Sequence, residues 1–252
     1  MKNKLLKILN NLLYPVLSVI VIAVIWYVVA LVVDLELIVP SPTKAIQEFF
    51  LLFTEKSFYS AFFSSIGRSL IAFSISALLA SLLALVSMFF APLKKFLSVP
   101  VAVTRSLPTM AVVLLLVIWT GAKTAPVVVT ALVVFPSLYA SFYDALSGVD
   151  KELVEVCKVC GGGKKALLLK VYLPLSAPAC SLAVSANLSL SLKLTIAAEV
   201  LASTANSIGH AMQLSQIYFE TARLMALTTA TVIIAVVLEK VLYLILKKAF
   251  SF

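Results

Sequence analysis

From Ile8 to Val33 the chain runs for 26 residues without one Asp, Glu, Lys or Arg. A helix of ~20 apolar residues crosses a ~30 Å hydrocarbon core. Backbone groups in lipid must find their partners inside the segment, which a helix allows and an irregular loop does not. Lys2, Lys4 and Lys7 precede the run. A cleaved leader also opens on positive charge, but its apolar part is ~7–15 residues long and closes on small residues. This run ends VVALVVDLE, which predicts a retained first span. Further charge-free runs cover Ser69–Leu93, Ser106–Ala122, Thr124–Tyr143 with Pro136 inside it, about Val171–Leu192 or a little beyond, and Leu224–Leu238, with VLYLIL following Glu239-Lys240. These predict an all-α integral membrane protein of six transmembrane helices.

Composition agrees. The 252 residues are 62% hydrophobic and 12% charged, against about half and a quarter in soluble domains, and mean hydropathy is +1.12. In a soluble chain a net charge of +9 would suggest nucleic acid. In a membrane chain the distribution of bases sets topology, and no nucleic-acid partner is expected. Six spans put both termini on one side. With them lie Lys2, Lys4, Lys7, Lys94, Lys95, Arg105, Lys151, Lys158, Lys164, Lys165, Lys170, Lys240, Lys247 and Lys248, fourteen of the twenty bases. Opposite lie Lys44, Lys56, Arg68, Lys123, Lys193 and Arg223. This asymmetry predicts a multi-pass protein of the cell (inner, cytoplasmic) membrane with both termini in the cytoplasm.

Between the first two runs, Pro40-Ser41-Pro42 forbids a continuous helix. KAIQEFFLLFTEKSFYSAFF then carries Ile46, Phe49, Phe50 and Phe53 on one helical face, with Lys44, Glu48 and Glu55 elsewhere. This is an amphipathic helix, lying at the membrane surface or packed on the spans. In the second run Ala72, Ser74, Ser76, Ala77, Ala80, Ser81 and Ala84 predict a close helix contact, since small residues let backbones approach inside lipid. KLTIAAEVLASTANSIGHAMQLSQIYFETAR is too polar for lipid and too apolar for a free loop. Part of it is expected to fold back against protein. The chain is thus divided into 1–68 (first span and external amphipathic segment), a core of 69–246 that includes the loop 150–178, and a short cytoplasmic tail, 247–252.

No enzyme signature is present. Without GxxxxGK[ST] there is no ATPase site in the chain itself, and Gly161-Gly162-Gly163-Lys164 follows a helix-like segment rather than a strand. Cys157-x-x-Cys160 lacks the second pair or histidines that zinc needs. These two thiols are expected to fill space in a packed helix, and His210 is expected at a helix end or in a loop. Three cysteines, Cys157, Cys160 and Cys180, make no disulfide framework.

The longest polar interruption is Glu152–Pro178, with four lysines, two glutamates and three consecutive glycines. Glu152–Cys160 suits a helix with Leu153, Val156 and Val159 or Cys160 along one face. The glycines end it, because glycine takes the left-handed turn after a helix, and Lys164–Tyr172 suits a second helix. An apolar side with mixed charges fits docking into a groove.

Here Glu155, then Gly161 six residues on, then Val171-x-Leu173-Pro174 resemble the EAA loop of ABC importer permeases, read as E-A-A, three residues, G, nine residues, I-x-L-P. Val156 and Cys157 stand for the alanines and Val171 for isoleucine. VPSPTKAI (39–46), Arg105-Ser-Leu-Pro108, Lys193-Leu-Thr-Ile-Ala-Ala-Glu199 and Ile208-Gly209 are similar to landmarks of the permeases for nitrate, sulfonates, taurine and thiamine precursors. The second run departs from that group, carrying alanine and serine where it has glycines.

The resemblance implies the type I importer permease fold. It implies as partners two ATP-binding cassette subunits, which bind ATP and Mg, a second permease copy as a homodimer, and an extracellular or periplasmic solute-binding protein. No cofactor is expected in this chain. Glu155 and Gly161 would be the contact and the turn of an ATPase-coupling loop that ends at Leu173 and Pro174. Val156, Cys157, Val159 and Cys160 would be its apolar anchors. The translocation pathway would draw on Arg105, Pro108, Lys193 and Glu199, although Lys193 and Glu199 also read as boundary charges at the outer interface. A charge well inside a span costs roughly 2.5–3.5 kcal/mol. The alternative readings are an ion-coupled secondary transporter, which would show inverted repeats and broken helices at mid-depth, and the membrane component of a vitamin-type importer.

Overall fold

A computed structural model of the chain describes residues 2–161 and 163–250, nearly all of them helical. In order these are α1 (Lys2–Val33), α2 (Pro42–Leu52), α3 (Lys56–Phe89), α4 (Ala91–Ser106), α5 (Thr109–Thr120), α6 (Ala125–Ser147), α7 (Lys151–Val159), α8 (Lys164–Leu167), α9 (Leu173–Ala202), α10 (Ile208–Ile217) and α11 (Thr221–Phe250). A π-helical turn, Leu168–Tyr172, joins α8 to α9. Among the described residues α1, α3, α6, α9 with the turn before it, and α11 are long and apolar enough to cross a membrane, and α4 with α5 makes a sixth if the bent pair is one broken span.

The chain divides into two compact units. One comprises residues 1–58 and 211–230. In it the Trp26 indole donates to the Pro40 carbonyl at 3.1 Å. Ser41 caps α2, its hydroxyl accepting from the Lys44 N–H, with Pro42 in the first turn, where a missing N–H costs nothing. Phe49, Phe53 and Phe58 follow one another edge to face. Arg223 grips both carboxylate oxygens of Glu55, at 2.8 and 2.6 Å.

The other unit comprises residues 59–210 and 231–252, and α6 and α9 lie at its centre. Phe73, Ala80 and Ala84 of α3, Val101 of α4, Val134, Leu138 and Phe142 of α6 and Leu188 of α9 form the larger apolar cluster. Val113 and Leu116 of α5, Val129 of α6 and Ala198 of α9 form a second. The small residues of α3 do what their size allows, for Ala72, Ser76, Ala80 and Ala84, four apart, have no exposed surface. Their neighbours Ser74 and Ser81 are exposed, so the contact face is one stripe and not the whole small-residue set.

Hydroxyls tie the helices across this core. Thr130 meets Thr195 at 3.0 Å, Ser69 meets Ser191 at 3.0 Å, and Ser76 donates to the Ala131 carbonyl at 2.9 Å. Each such bond between membrane helices is worth about 0.6 kcal/mol. Thr130 pairing with Thr195 while Thr204 donates to the Ala122 carbonyl fixes α6 and α9 as antiparallel.

Three elements differ from the sequence expectation. The amphipathic helix stops at Leu52, and Ser57–Phe63 belong to α3, which begins at Lys56. The third span is not one helix over 106–122. Pro108 lacks a donor and forces Leu107 into an extended conformation (ψ 132°), so α4 and α5 meet at a bend of 98°. The fifth span runs further past Leu192 than expected. α9 continues to Ala202, because Thr195, Ile196, Ala198 and Glu199 are buried against the unit's other helices.

Candidate functional site

α7 is built to be a short, rigid helix. The Asp150 carboxylate caps it by accepting from the Glu152 N–H at 2.9 Å. Gly161 ends it at φ +79°, the left-handed conformation that glycine adopts without strain. Gly162, the middle of the glycine triplet, lies outside the described residues. The helix has two apolar sides. On the inner one Val154 is buried with Val149 and Leu167, and Cys157, Val171 and Tyr172 pack against them. On the outer one Leu153, Val156 and Val159 are 47%, 59% and 88% exposed.

Glu155, Cys160 and Gly161 are exposed as well, and Leu173 and Pro174 are exposed at the start of α9. Cys157 is half-buried and Cys160 exposed. The expectation of two space-filling thiols therefore fails for Cys160, which sits where the chain leaves the helix. Sequence reading missed Val154 and Leu167, the side chains that seat the helix. Their signal was the second i, i+3 apolar pair, Val154 and Cys157.

A second cluster lies near the other end of α9. Glu199 has no exposed surface, and its carboxylate accepts from Arg68 Nε at 2.7 Å, Ser65 Oγ at 2.7 Å and the Gly209 N–H at 3.3 Å. Ser65 Oγ in turn accepts from the Ile208 N–H at 3.0 Å, and Arg68 donates to the Asn206 carbonyl at 3.2 Å. A Cβ on Gly209 would stand 2.4 Å from the Glu199 Cβ, so only glycine allows this approach. Thr204, Ser207, Ile208 and Gly209 are buried, which fulfils the expectation that part of this segment folds back against protein. Glu199 is not a boundary charge in contact with solvent. It is the acceptor that gathers α3, α9 and the start of α10.

Lys193, six residues earlier on α9, is exposed, and the structure does not bring it together with Glu199. Arg105, in the last turn of α4, is exposed and donates to the Pro136 carbonyl at 3.1 Å. Pro108 is exposed at the bend. His210 stands in the first turn of α10, its N–H bonded to Ser207 Oγ at 2.9 Å. Among the described residues no three of His, Cys, Asp and Glu are grouped so as to hold a metal ion.

A bundle of membrane-spanning helices with one capped, outward-facing helix between two of them defines a multi-pass membrane subunit. The family model for the binding-protein-dependent transport system inner membrane component matches residues 76–250, and the chain belongs to that family: it is a permease component of an ABC importer, a transport subunit.

The chain is 24% identical over 196 residues to a probable ABC transporter permease protein of Brucella melitensis, covering 77% of this chain and 78% of that one. It is 23% identical over 167 residues to the formylaminopyrimidine transport permease protein ThiX of Halalkalibacterium halodurans, covering 66% of each. It is 24% identical over 208 residues to the putative aliphatic sulfonates transport permease protein SsuC of Bacillus subtilis, covering 82% and 75%. Two solved structures share the fold. One is an amino acid ABC transporter, with TM-score 0.66 and 17% identity over 79% of this chain and 96% of that one. The other is the MetNI methionine ABC transporter, with TM-score 0.59 and 16% identity over 76% and 93%.

Proposed function

We propose that this chain forms the translocation pathway of an ATP-driven importer as a homodimer and is moved through α7 by two cytoplasmic ATPase subunits, with a solute-binding protein delivering the substrate from outside. The observation that carries the reading is the pair of apolar sides on α7. Val154 and Cys157 fasten the helix to its own subunit, while Leu153, Val156 and Val159 stand free beside Glu155. A helix so clamped transmits rigid-body motion, which a loose loop would absorb. An exposed aliphatic row of this length fits a groove on another protein.

Glu155 and Cys160 flank that row, and Leu173 and Pro174 carry the motion into α9. Both termini are cytoplasmic in this reading, as the loop is. The substrate belongs to the class of small organic or inorganic solutes that includes nitrate, sulfonates, taurine and thiamine precursors, a reading supported by the names of two relatives. The pathway draws on Arg105, Pro108 and Lys193.

Co-expression with the cognate ATPase tests the proposal. Glu155→Arg combined with Val156→Asp is expected to abolish co-purification of the ATPase subunits and uptake in proteoliposomes, with the permease still folded. If binding and uptake both survive, the coupling assignment is wrong.

A further inference from the structure

α3, α6, α9 and α11 leave an apolar groove between them, a cavity of about 480 Å³ within the larger unit. Leu82 and Leu85 of α3, Phe142 and Leu146 of α6, Cys180 of α9 and Leu246 of α11 are among its walls. Leu146 is the next-to-last residue of α6, and the α9 wall begins at Leu173, the first residue of that helix. The groove therefore starts at the end of the bundle where the segment with α7 joins α6 to α9. Along α9 it continues to Val184, or about 17 Å at 1.5 Å per residue. One leaflet supplies about half of the ~30 Å hydrocarbon core, so the groove is about as deep as one leaflet.

The walls offer a polar solute little. The hydroxyls of Ser81 and Ser176 return to carbonyls of their own helices, Leu78 at 2.9 Å and Leu173 at 3.4 Å. Asp144 and Glu239, the acids of α6 and α11, do not line the groove. An apolar void of this kind stays dry and accepts a hydrocarbon.

At the mouth the chemistry changes. Lys247 and Lys248 follow Leu246 directly in the last turn of α11, and Lys170 stands one turn before Leu173. All three are exposed, and none joins the ion pairs found among the described residues. The end of a helix favours Lys247 and Lys248, but Lys170 lies inside a continuous helical stretch, 165–202, and owes nothing to a helix end. Bases grouped where a pocket between membrane helices meets the head-group layer bind anionic lipid head groups. Lysine stems lie along apolar surface while their charges stay in that layer.

We propose that the groove holds an acyl chain of one anionic phospholipid, whose phosphate is held by Lys170, Lys247 and Lys248. This goes beyond the transport reading, for it gives the subunit a bound lipid, set against the start of α9 where Leu173 and Pro174 leave the α7 loop.

Native mass spectrometry tests it on the purified transporter complex, stripped of lipid in detergent and titrated with phosphatidylglycerol or with phosphatidylcholine of the same chains. One phosphatidylglycerol per copy of this chain is expected to be retained, bound about a hundredfold more tightly than phosphatidylcholine, with about fivefold from each base. Lys170→Gln, Lys247→Gln and Lys248→Gln are each expected to lower the phosphatidylglycerol affinity by about fivefold and to leave phosphatidylcholine unchanged. A phosphatidylglycerol with a diazirine at its chain end is expected to label α9 between Cys180 and Val184 on irradiation. Ala177→Phe, which fills the groove, should abolish that label. The three lysines are exposed, so their variants read the site even where Ala177→Phe fails to fold. Equal retention of the two lipids, or affinities indifferent to the three lysines, overturns the proposal. So does label confined to other helices, the result if a second copy of the chain or another subunit covers the groove.

Discussion

Glu199 Oε1 accepts a hydrogen bond from Arg68 Nε at 2.7 Å across 131 residues of sequence. Its other oxygen is taken by Ser65 and the Gly209 N–H. Breaking a buried pair by removing one partner leaves an uncompensated charge and costs about 3–5 kcal/mol. Arg68→Met and Glu199→Leu are each expected to destabilise the protein by that amount, while the double variant recovers most of the loss. Thermal unfolding in detergent of the two singles and the double decides the point. Additive losses would mean that the pair is not coupled.

Gly209→Ala sets a methyl group where the Glu199 Cβ, the Val200 N and the Ile196 carbonyl stand within 2.7 Å. Since the obstacles include backbone, α10 has to move away, at a cost of about 1–3 kcal/mol. Hydrogen exchange is expected to rise at Asn206–His210 and to leave α6 unchanged.

Gly161→Ala isolates a backbone effect. No atom lies within 4 Å of the site its Cβ would take, yet φ is +79°. The substitution is expected to cost about 1 kcal/mol through the left-handed turn alone. It should weaken ATPase docking by about fivefold, read as an affinity in a binding titration, while the melting temperature of the membrane helices stays unchanged.

The Arg223 guanidinium, bonded to both oxygens of Glu55, holds that carboxyl below its usual range. A carboxylate whose folded pKa is depressed stabilises the protein above its unfolded value, about 4.3, and loses that contribution as pH falls through the folded one. The pair is about one-third exposed, so it contributes no more than about 1 kcal/mol. Glu55→Gln is expected to lower the melting temperature at pH 7, with the difference from the parent shrinking as pH falls from 7 toward 3. A constant difference across that range would contradict the assignment.

Much of this architecture was legible because lipid imposes one rule. A charge-free run of span length has to be helical, so Ile8–Val33, Ser69–Leu93 and Thr124–Tyr143 mark α1, α3 and α6 from composition alone. The outer row of α7 was legible for a similar reason, since Leu153, Val156 and Val159 share a face by spacing. The division of labour between its two sides was not. Val154 and Val156 are both valines, and only the packing of Val149, Leu167 and Tyr172 tells the buried one from the free one.

Lys193 and Glu199 show where sequence stops. Both stood out as charges at the end of an apolar run, and the sequence by itself determined only that, six residues apart, they would not share a face of a helix. The tertiary structure decided that Glu199 meets Arg68, Ser65 and Gly209 inside the protein while Lys193 keeps its charge exposed. Local spacing sets direction around a helix axis within a few residues. What waits in that direction comes from segments as far as 134 residues away, and their approach depends on the absence of a methyl group at Gly209.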